Sequence, residues 1–158
     1  MEIDLTSIIV AIVALCIFFI PIGIYQFSQK KKLKKTQKSF DDAAQKNNLH
    51  IDEKEVLRNG FAIGIDTQNH CILHLSDQKE TIIELDDVQS CKLFKDLRRA
   101  TTVDGTRTHT VVIGIHIKFK QNRNLGLKLS LFEGKAFGGE KVIIQRWIDK
   151  IHSSMKKK

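Results

Sequence analysis

The chain begins with an uninterrupted apolar run. Residues 5–25 are 21 consecutive residues without a charge, rich in isoleucine, valine, leucine and phenylalanine. A helix rises ~1.5 Å per residue, so a helix of this length crosses the ~30 Å hydrocarbon core of a bilayer. The pattern predicts a single transmembrane α-helix over residues 5–25, preceded by a short extracytoplasmic N-terminus, residues 1–4.

The charges beside this run predict its orientation. Glu2 and Asp4 precede it, whereas a cleaved signal peptide carries positive charge in front of its apolar segment. Five lysines follow the run and form the lysine cluster: Lys30, Lys31, Lys32, Lys34 and Lys35. Because lysines that flank a span stay on the cytoplasmic side, we expect a plasma (inner) membrane protein with its N-terminus outside and its C-terminal domain cytoplasmic.

Residues 26–48 have the pattern of a basic juxtamembrane helical linker. Leu33, Phe40 and Ala44 follow one another at spacings of seven and four, which is the thin apolar stripe of a helix. This helix could simply prolong the membrane helix. Asn47 and Asn48 are a plausible stop, after which an extended segment could begin.

From Phe61 onward the apolar period becomes two, which is typical of strands buried on one face. Short strands are predicted over residues 61–66, 71–75, 81–85, 88–97, 111–119 and 125–131. The last two are separated by a polar turn, so we expect them to form an antiparallel hairpin.

The connection before residues 111–119 is predicted from the register. A two-residue turn at Asp104 and Gly105 pairs odd with even residues, which sets charged side chains opposite the isoleucines of that strand. An odd-to-odd register instead matches Leu93 and Leu97 with the isoleucine face. We therefore expect a longer loop or a β-bulge.

A terminal amphipathic helix closes the pattern, and its apolar residues lie on one face: Ile144, Trp147, Ile148, Ile151 and Met155. The predicted fold is an N-terminal transmembrane α-helix plus a mainly-β (α+β) domain over residues 49–155. Its about six to seven strands form a bent antiparallel sheet or partly open barrel that the helix caps. Residues 156–158 are a basic tail.

Three stretches carry a resemblance to a known group of proteins. Residues 61–66, residues 83–91 and the pair Gly139 and Glu140 followed by Trp147 are similar to motifs of uncharacterised, membrane-anchored bacterial proteins. The succession of strands and capping helix resembles bacterial pleckstrin-homology-like (PH-like) domains. The resemblance spans most of residues 49–155, and it implies a fold and a location rather than a chemistry.

The net charge of +8 does not indicate a nucleic-acid protein. The lysine cluster and residues 156–158 supply eight positive charges, so the remainder of the chain sums to zero. The body therefore lacks the basic face with interleaved aromatic residues that nucleic-acid binding requires, and we expect no nucleic-acid partner.

Two groups of side chains raise the question of a metal or acid–base site. On a strand, His70 and His74 share one face about 13 Å apart while Cys71 points to the other face, so the three do not converge on a metal. Asp86 and Asp87 are adjacent, and such carboxylates more often mark a turn than supply a general acid and base.

Two further motifs do not meet the requirements of a catalytic or phosphate-binding site. Cys91 paired with a distant histidine is a nucleophile arrangement that any chain with six histidines offers, and a small apolar strand residue is the better reading. Gly134 and Gly139 have the spacing of a phosphate-binding loop, but Glu140 follows where that loop requires lysine. We expect no catalytic residue, cofactor or metal, and no enzyme activity.

The pattern leaves two functions from different classes. The first is a cytoplasmic PH-like module that binds an unknown protein partner or scaffolds a membrane complex through strand edges and polar loops. The alternative is lipid or small-ligand binding in a cavity lined by Ile113, Ile115, Ile117, Leu127 and Leu129. The lysine cluster either contacts anionic lipid headgroups, at ~1 kcal/mol for each lysine, or only fixes the orientation.

Overall fold

A computed structural model describes residues 5–57, 60–76, 79–101, 107–121, 126–134 and 139–156. Within those ranges, the side chains of residues 5–13, 21–26, 99–101 and 107–109 are not described. Among the residues whose side chains are described, no helix is both long enough and apolar enough to cross a membrane. Most of the predicted span over residues 5–25 lies outside that part of the chain, as do residues 1–4, the Asp104–Gly105 turn and residues 157–158.

The first element is a single helix, α1, which runs from Leu5 to Lys46 without a break. Residues 26–46 of the linker are helical, as the spacing of their apolar residues predicted, and they continue the preceding helix, which the sequence had left open. α1 is capped by Asn48, which adopts the left-handed conformation that glycine usually supplies at this position, with a φ of 53°. The Leu49 N–H then bonds the Ala44 carbonyl at 2.9 Å, which satisfies a helix-end acceptor.

Among the described residues, seven strands form two antiparallel sheets rather than one bent sheet. The first sheet has the order β1-β2-β3-β4, and the second has the order β5-β6-β7. The strands of the first are β1 (Glu53–Val56), β2 (Ala62–Asp66), β3 (Cys71–Ser76) and β4 (Lys79–Glu84); those of the second are β5 (Val88–Thr101), β6 (Arg107–Phe119) and β7 (Gly126–Gly134). A short 3-10 helix, Leu85–Asp87, carries the chain from one sheet to the other.

The register of the second sheet confirms the prediction from the isoleucine face. Leu93 pairs with Ile115 and Leu97 with Val111, so odd residues face odd residues. The pairing continues to Thr101 opposite Arg107, which makes the connection longer than a two-residue turn. The hairpin of β6 and β7 is also confirmed.

The first sheet is covered on both faces. One face packs against the second sheet and the terminal helix, α2 (Gly139–Met155), around Ile63, Ile72 and Trp147. The other face packs against α1 through Phe40. All of β2 is consequently buried, although its alternating sequence predicted burial on one face only.

The terminal helix closes the core as its periodicity predicted. Its buried residues are Ile144, Trp147, Ile148 and Ile151, and Met155 packs partly buried against them. On its other side, Arg146 and Lys150 form ion pairs with Glu55 and Glu53 of β1. The helix is thus attached both to the core and to the edge of the first sheet.

Candidate interaction surface

A close contact fixes α1 on the first sheet. Phe40 is fully buried, and its ring lies directly over Gly64 in the middle of β2. A Cβ atom at position 64 would lie 2.6 Å from Phe40 Cζ and 2.8 Å from Ile51 Cγ2. Only glycine leaves room for this ring, so the contact sets the separation between helix and sheet.

A buried carboxylate fixes the segment that follows α1. Asp66 is buried, and its oxygens accept the backbone N–H of His50 at 2.7 Å and of Asn69 at 2.8 Å. Burial by itself raises the pKa of Asp66, but hydrogen bonds from Asn69, His50 and Gln68 outweigh it and hold the pKa below its usual value. The segment after α1 is therefore bonded to the end of β2 and the turn that follows it through an ionised carboxylate.

The lysine cluster lies on the exposed part of α1 between the apolar run and the sheet. All five of its side chains are exposed. At about 100° per residue, their positions spread over roughly 200° of the helix circumference rather than along one face. The cluster therefore forms no single basic face of the helix.

The histidines and cysteine near residue 70 do not form a site. His70 lies in the turn before β3 with a φ of 51°, not on the strand where the sequence placed it. His74 is buried, and its Nε2–H donates to the Ser130 carbonyl at 2.8 Å. No group of three potential metal ligands comes together within the described ranges.

Neither buried cysteine of the β-rich region is suited to act as a nucleophile. Burial raises the pKa of Cys91 to about 11, with a further contribution from Asp149, and raises the pKa of Cys71 to about 11 as well. The Cys91 thiol is 3.9 Å from the Ile148 carbonyl inside the core. At neutral pH both residues are thiols, and the thiolate is the reactive form.

The remaining sequence candidates occupy connecting segments. Asp86 and Asp87 belong to the 3-10 helix, and their carbonyls accept hydrogen bonds from the Lys120 side chain and backbone N–H. Gly134 ends β7 and Gly139 begins α2, while residues 135–138 between them lie outside the described residues.

The residues proposed to line a ligand cavity are packed in the core. Ile113, Ile115, Ile117 and Leu129 are buried within the same cluster as Trp147, and Leu127 is partly buried against it. A cavity between α2 and β7, beside Leu131 and Ile144, has a volume of about 20 Å³. A space of this size holds no more than one water molecule.

An open groove lies between α1 and β4. The outward side chains of β4 along it are Glu80, Ile82 and Glu84, which we call the β4 surface. Ile82 is 42% exposed, a high value for a large apolar side chain in a strand. Lys46 at the end of α1 pairs with Glu80 at 2.6 Å, and two cavities lie beside β4.

The two cavities differ in their lining. A cavity of about 270 Å³ lies on the side of the β2–β3 turn, and its lining includes Asn47, Leu49, His70, Ile82 and Glu84. A second cavity of about 320 Å³ lies along α1, and its lining includes Ser39, Asp42, Leu75 and Glu80. Sequence reasoning missed this surface, although an isoleucine between two glutamates at a period of two was its visible signal.

A two-stranded ribbon is a further protrusion of the second sheet. The pairing of β6 with β7 ends at Val111 opposite Gly134, whereas β5 and β6 stay paired beyond it. At the base of this ribbon, Leu97 is 66% exposed, and the neighbouring Arg98 lies 3.6 Å from Glu133.

Comparison with known proteins adds no relative. No family model matches the chain, and no curated protein or solved structure is significantly similar to it.

Proposed function

We propose that the chain is a single-pass membrane protein that presents a cytoplasmic, PH-like interaction module to a protein partner or a membrane complex. The observation that carries this proposal is the exposure of the apolar residues in the first part of α1. Five large side chains there are between 55% and 70% exposed: Leu15, Ile17, Phe18, Phe19 and Ile20.

The rest of the described chain does not pack against these residues. Residues 14–20 are consecutive and all exposed, and seven consecutive helical positions cover the whole circumference. A helix that is apolar on all sides is stable when lipid surrounds it. Together with the uncharged run over residues 5–25, this exposure supports a transmembrane helix.

The lysine cluster supports the orientation. It follows the proposed span within a few residues, which favours a cytoplasmic location for the β-rich region. Each lysine near an anionic inner leaflet contributes ~1 kcal/mol of attraction, so the cluster also favours contact with acidic lipid headgroups.

Binding of a protein partner is the activity that the β-rich region supports best. Its two buried thiols are protonated at neutral pH, and the residues suggested for a ligand cavity are packed against Trp147 instead. Two antiparallel sheets closed by a terminal helix are compatible with the resemblance to PH-like domains. The exposed strand edges and the groove beside β4 offer surface for recognition through main-chain hydrogen bonds.

Copurification from native membranes tests the proposal. The full chain and a control with residues 1–48 alone are extracted in mild detergent, and mass spectrometry compares the proteins recovered with each. A stoichiometric partner that requires residues 49–158 supports the interaction module. Recovery of bound lipid without any protein contradicts it and favours the alternative, lipid or small-ligand binding by the β-rich domain. Release of the full chain by alkaline carbonate contradicts the transmembrane helix.

A further inference from the structure

The two sheets have four outer strands, and the contacts that other elements make with them differ. Arg146 and Lys150 of α2 hold β1, and α2 also packs along β5. On β7, the Ser130 carbonyl accepts the hydrogen bond from His74 of β3. Among the described residues, β4 pairs with β3 only, and α1 contacts it through the Lys46–Glu80 ion pair on one face of the sheet. Within those residues, no strand pairs with the other edge of β4.

An uncovered edge presents backbone N–H and C=O groups that another strand can pair with. Natural proteins often protect such an edge with a proline, an inward-pointing charge or a bulge. Along Lys79–Glu84 there is no proline, and the β3–β4 pairing is regular from Cys71 opposite Glu84 to Ser76 opposite Lys79. Thr81 and the buried Ile83 face inward, as does Lys79 at the exposed start of the strand. Residues 80–84 therefore carry no inward-pointing charge, and this part of the edge can accept one more strand.

We infer that the β4 edge binds an extended, basic segment of a partner protein as a fifth strand of the first sheet. The inference rests on the proposed function, because it names the contact surface of that same interaction module. On the outward face, a paired strand places its side chains beside Glu80, Ile82 and Glu84 at a period of two. The matching segment carries an apolar residue between two basic residues, each separated by one position.

The charges around the groove favour this occupant. Four acidic side chains and one lysine line the two cavities beside the β4 surface: Asp42, Glu80, Glu84, Asp86 and Lys46. Lys46 already pairs with Glu80, but its side chain is 70% exposed, so water and an incoming basic group can reach that pair. Glu84 is exposed at the other side of Ile82.

A second copy of the chain fits this edge poorly. If two β4 strands pair antiparallel about a twofold axis at Ile82, Glu80 of each copy lies opposite Glu84 of the other. Like charges directly opposite each other destabilise a strand pair. The same geometry with lysine or arginine on the added strand gives two opposite-charge pairs, so the β4 edge selects a basic partner over itself.

Peptide binding to the full chain tests the inference directly. The protein is placed in nanodiscs of zwitterionic lipid, and fluorescence anisotropy measures its binding of a labelled peptide that repeats Lys-Thr-Ile-Thr-Lys. An acidic peptide with glutamate for lysine and a peptide with proline for threonine are the controls, and empty nanodiscs correct for lipid binding. We expect the basic peptide to bind at least about tenfold more tightly than either control.

Two matched variants locate the binding. Ile82→Lys places a positive charge at the centre of the β4 surface and is expected to weaken binding about tenfold. Val142→Lys makes the same change at a 71% exposed position on α2 and is expected to leave binding unchanged. The fluorescence of Trp147 checks that both variants are folded. Equal binding of the basic and acidic peptides, or full binding by folded Ile82→Lys, overturns the inference.

Copurification with the same variants separates this inference from the proposed function. A partner recovered with the wild-type chain and with Val142→Lys, but not with Ile82→Lys, supports both. A partner recovered equally with all three overturns the β4 edge as its site and leaves the interaction module standing. Recovery of a partner with none of them contradicts the proposed function and the inference with it.

Discussion

The contact between Phe40 and Gly64 allows a quantitative test of how α1 is held on the first sheet. A Cβ atom introduced by Gly64→Ala would lie 2.6 Å from Phe40 Cζ, 2.8 Å from Ile51 Cγ2 and 3.2 Å from the Glu53 carbonyl. Carbon atoms pack best at about 3.5–4.0 Å, so the ring must move by about 1 Å. Overpacking of this kind typically costs about 1–3 kcal/mol, which is the expected loss in free energy of unfolding.

The assay uses the single tryptophan of the chain. Trp147 is buried beside the sheets, so its fluorescence reports unfolding of the β-rich region in urea and mild detergent. Phe40→Leu removes the ring atom that the new methyl group meets. The double variant is therefore expected to lose about 1 kcal/mol less than the sum of the two single variants.

A matched glycine provides the control. Gly139→Ala places a Cβ atom with nothing within 4 Å, and its effect should be within about 0.5 kcal/mol of zero. An equally small effect of Gly64→Ala, or strict additivity with Phe40→Leu, would refute the close contact between helix and sheet.

Four other changes have defined outcomes. Asp66→Ala removes the acceptor of the His50 and Asn69 N–H groups and should cost about 2–3 kcal/mol in urea unfolding, with a smaller cost for Asp66→Asn; equal effects contradict the role of the carboxylate. Burial lowers the pKa of His74 below 6.5, so the unfolded chain binds the proton first and stability should fall as pH decreases below about 6.5. His74→Gln should flatten that part of the pH profile, and an unchanged slope argues against His74 as its source. Replacing the lysine cluster by glutamine should reduce the fraction of chains with a cytoplasmic β-rich region, which protease protection measures. An unchanged fraction contradicts a role of the cluster in orientation. Inserting two alanines after Thr36 turns the β-rich region by about 200° relative to the proposed span and should lower the yield of copurified partner, whereas a flexible tether tolerates the insertion.

The strands of the second sheet could be predicted because their pattern and their burial agree. Alternating isoleucines make up the core face of β6, and only the odd-to-odd register brings Leu93 onto the same face. The same holds for α2, whose apolar spacing matches its buried residues. In β6 and in α2, each side chain is either buried or exposed, so the spacing of apolar residues in the sequence matches the pattern of burial in the structure.

The first sheet was harder to predict because both of its faces are covered. Ala62 and Gly64 were the small residues of an alternating strand, which suggested an exposed face, yet they lie beneath Phe40. Small side chains are needed there for close packing of a helix, and small size carries no hydrophobic signal. The polar strand β1 was also not predicted, because ion pairs to α2 rather than apolar contacts hold its outer side.

The β4 surface could not be predicted for a different reason. Its glutamates and isoleucine are plain in the sequence, but their importance depends on which strand lies at an uncovered edge. Strand order follows from the pairing of β4 with β3 and from the elements that cover the other edges. A pattern in one strand contains no information about its neighbours.

In the proposed membrane arrangement, one helix joins the bilayer to the partner-binding edge. α1 continues without a break from the exposed apolar residues 14–20 to the buried Phe40, a distance of about 30 Å for some 20 residues. The same helix ends at Lys46, which contacts Glu80 of β4, and the segment after it is bonded to Asp66. α1 is therefore continuous between its exposed apolar residues and the β4 surface. If the proposed span holds, the helix would set the height and direction of that surface above the membrane, and a partner that is itself held at the membrane would meet the β4 edge with little loss of orientational freedom on binding.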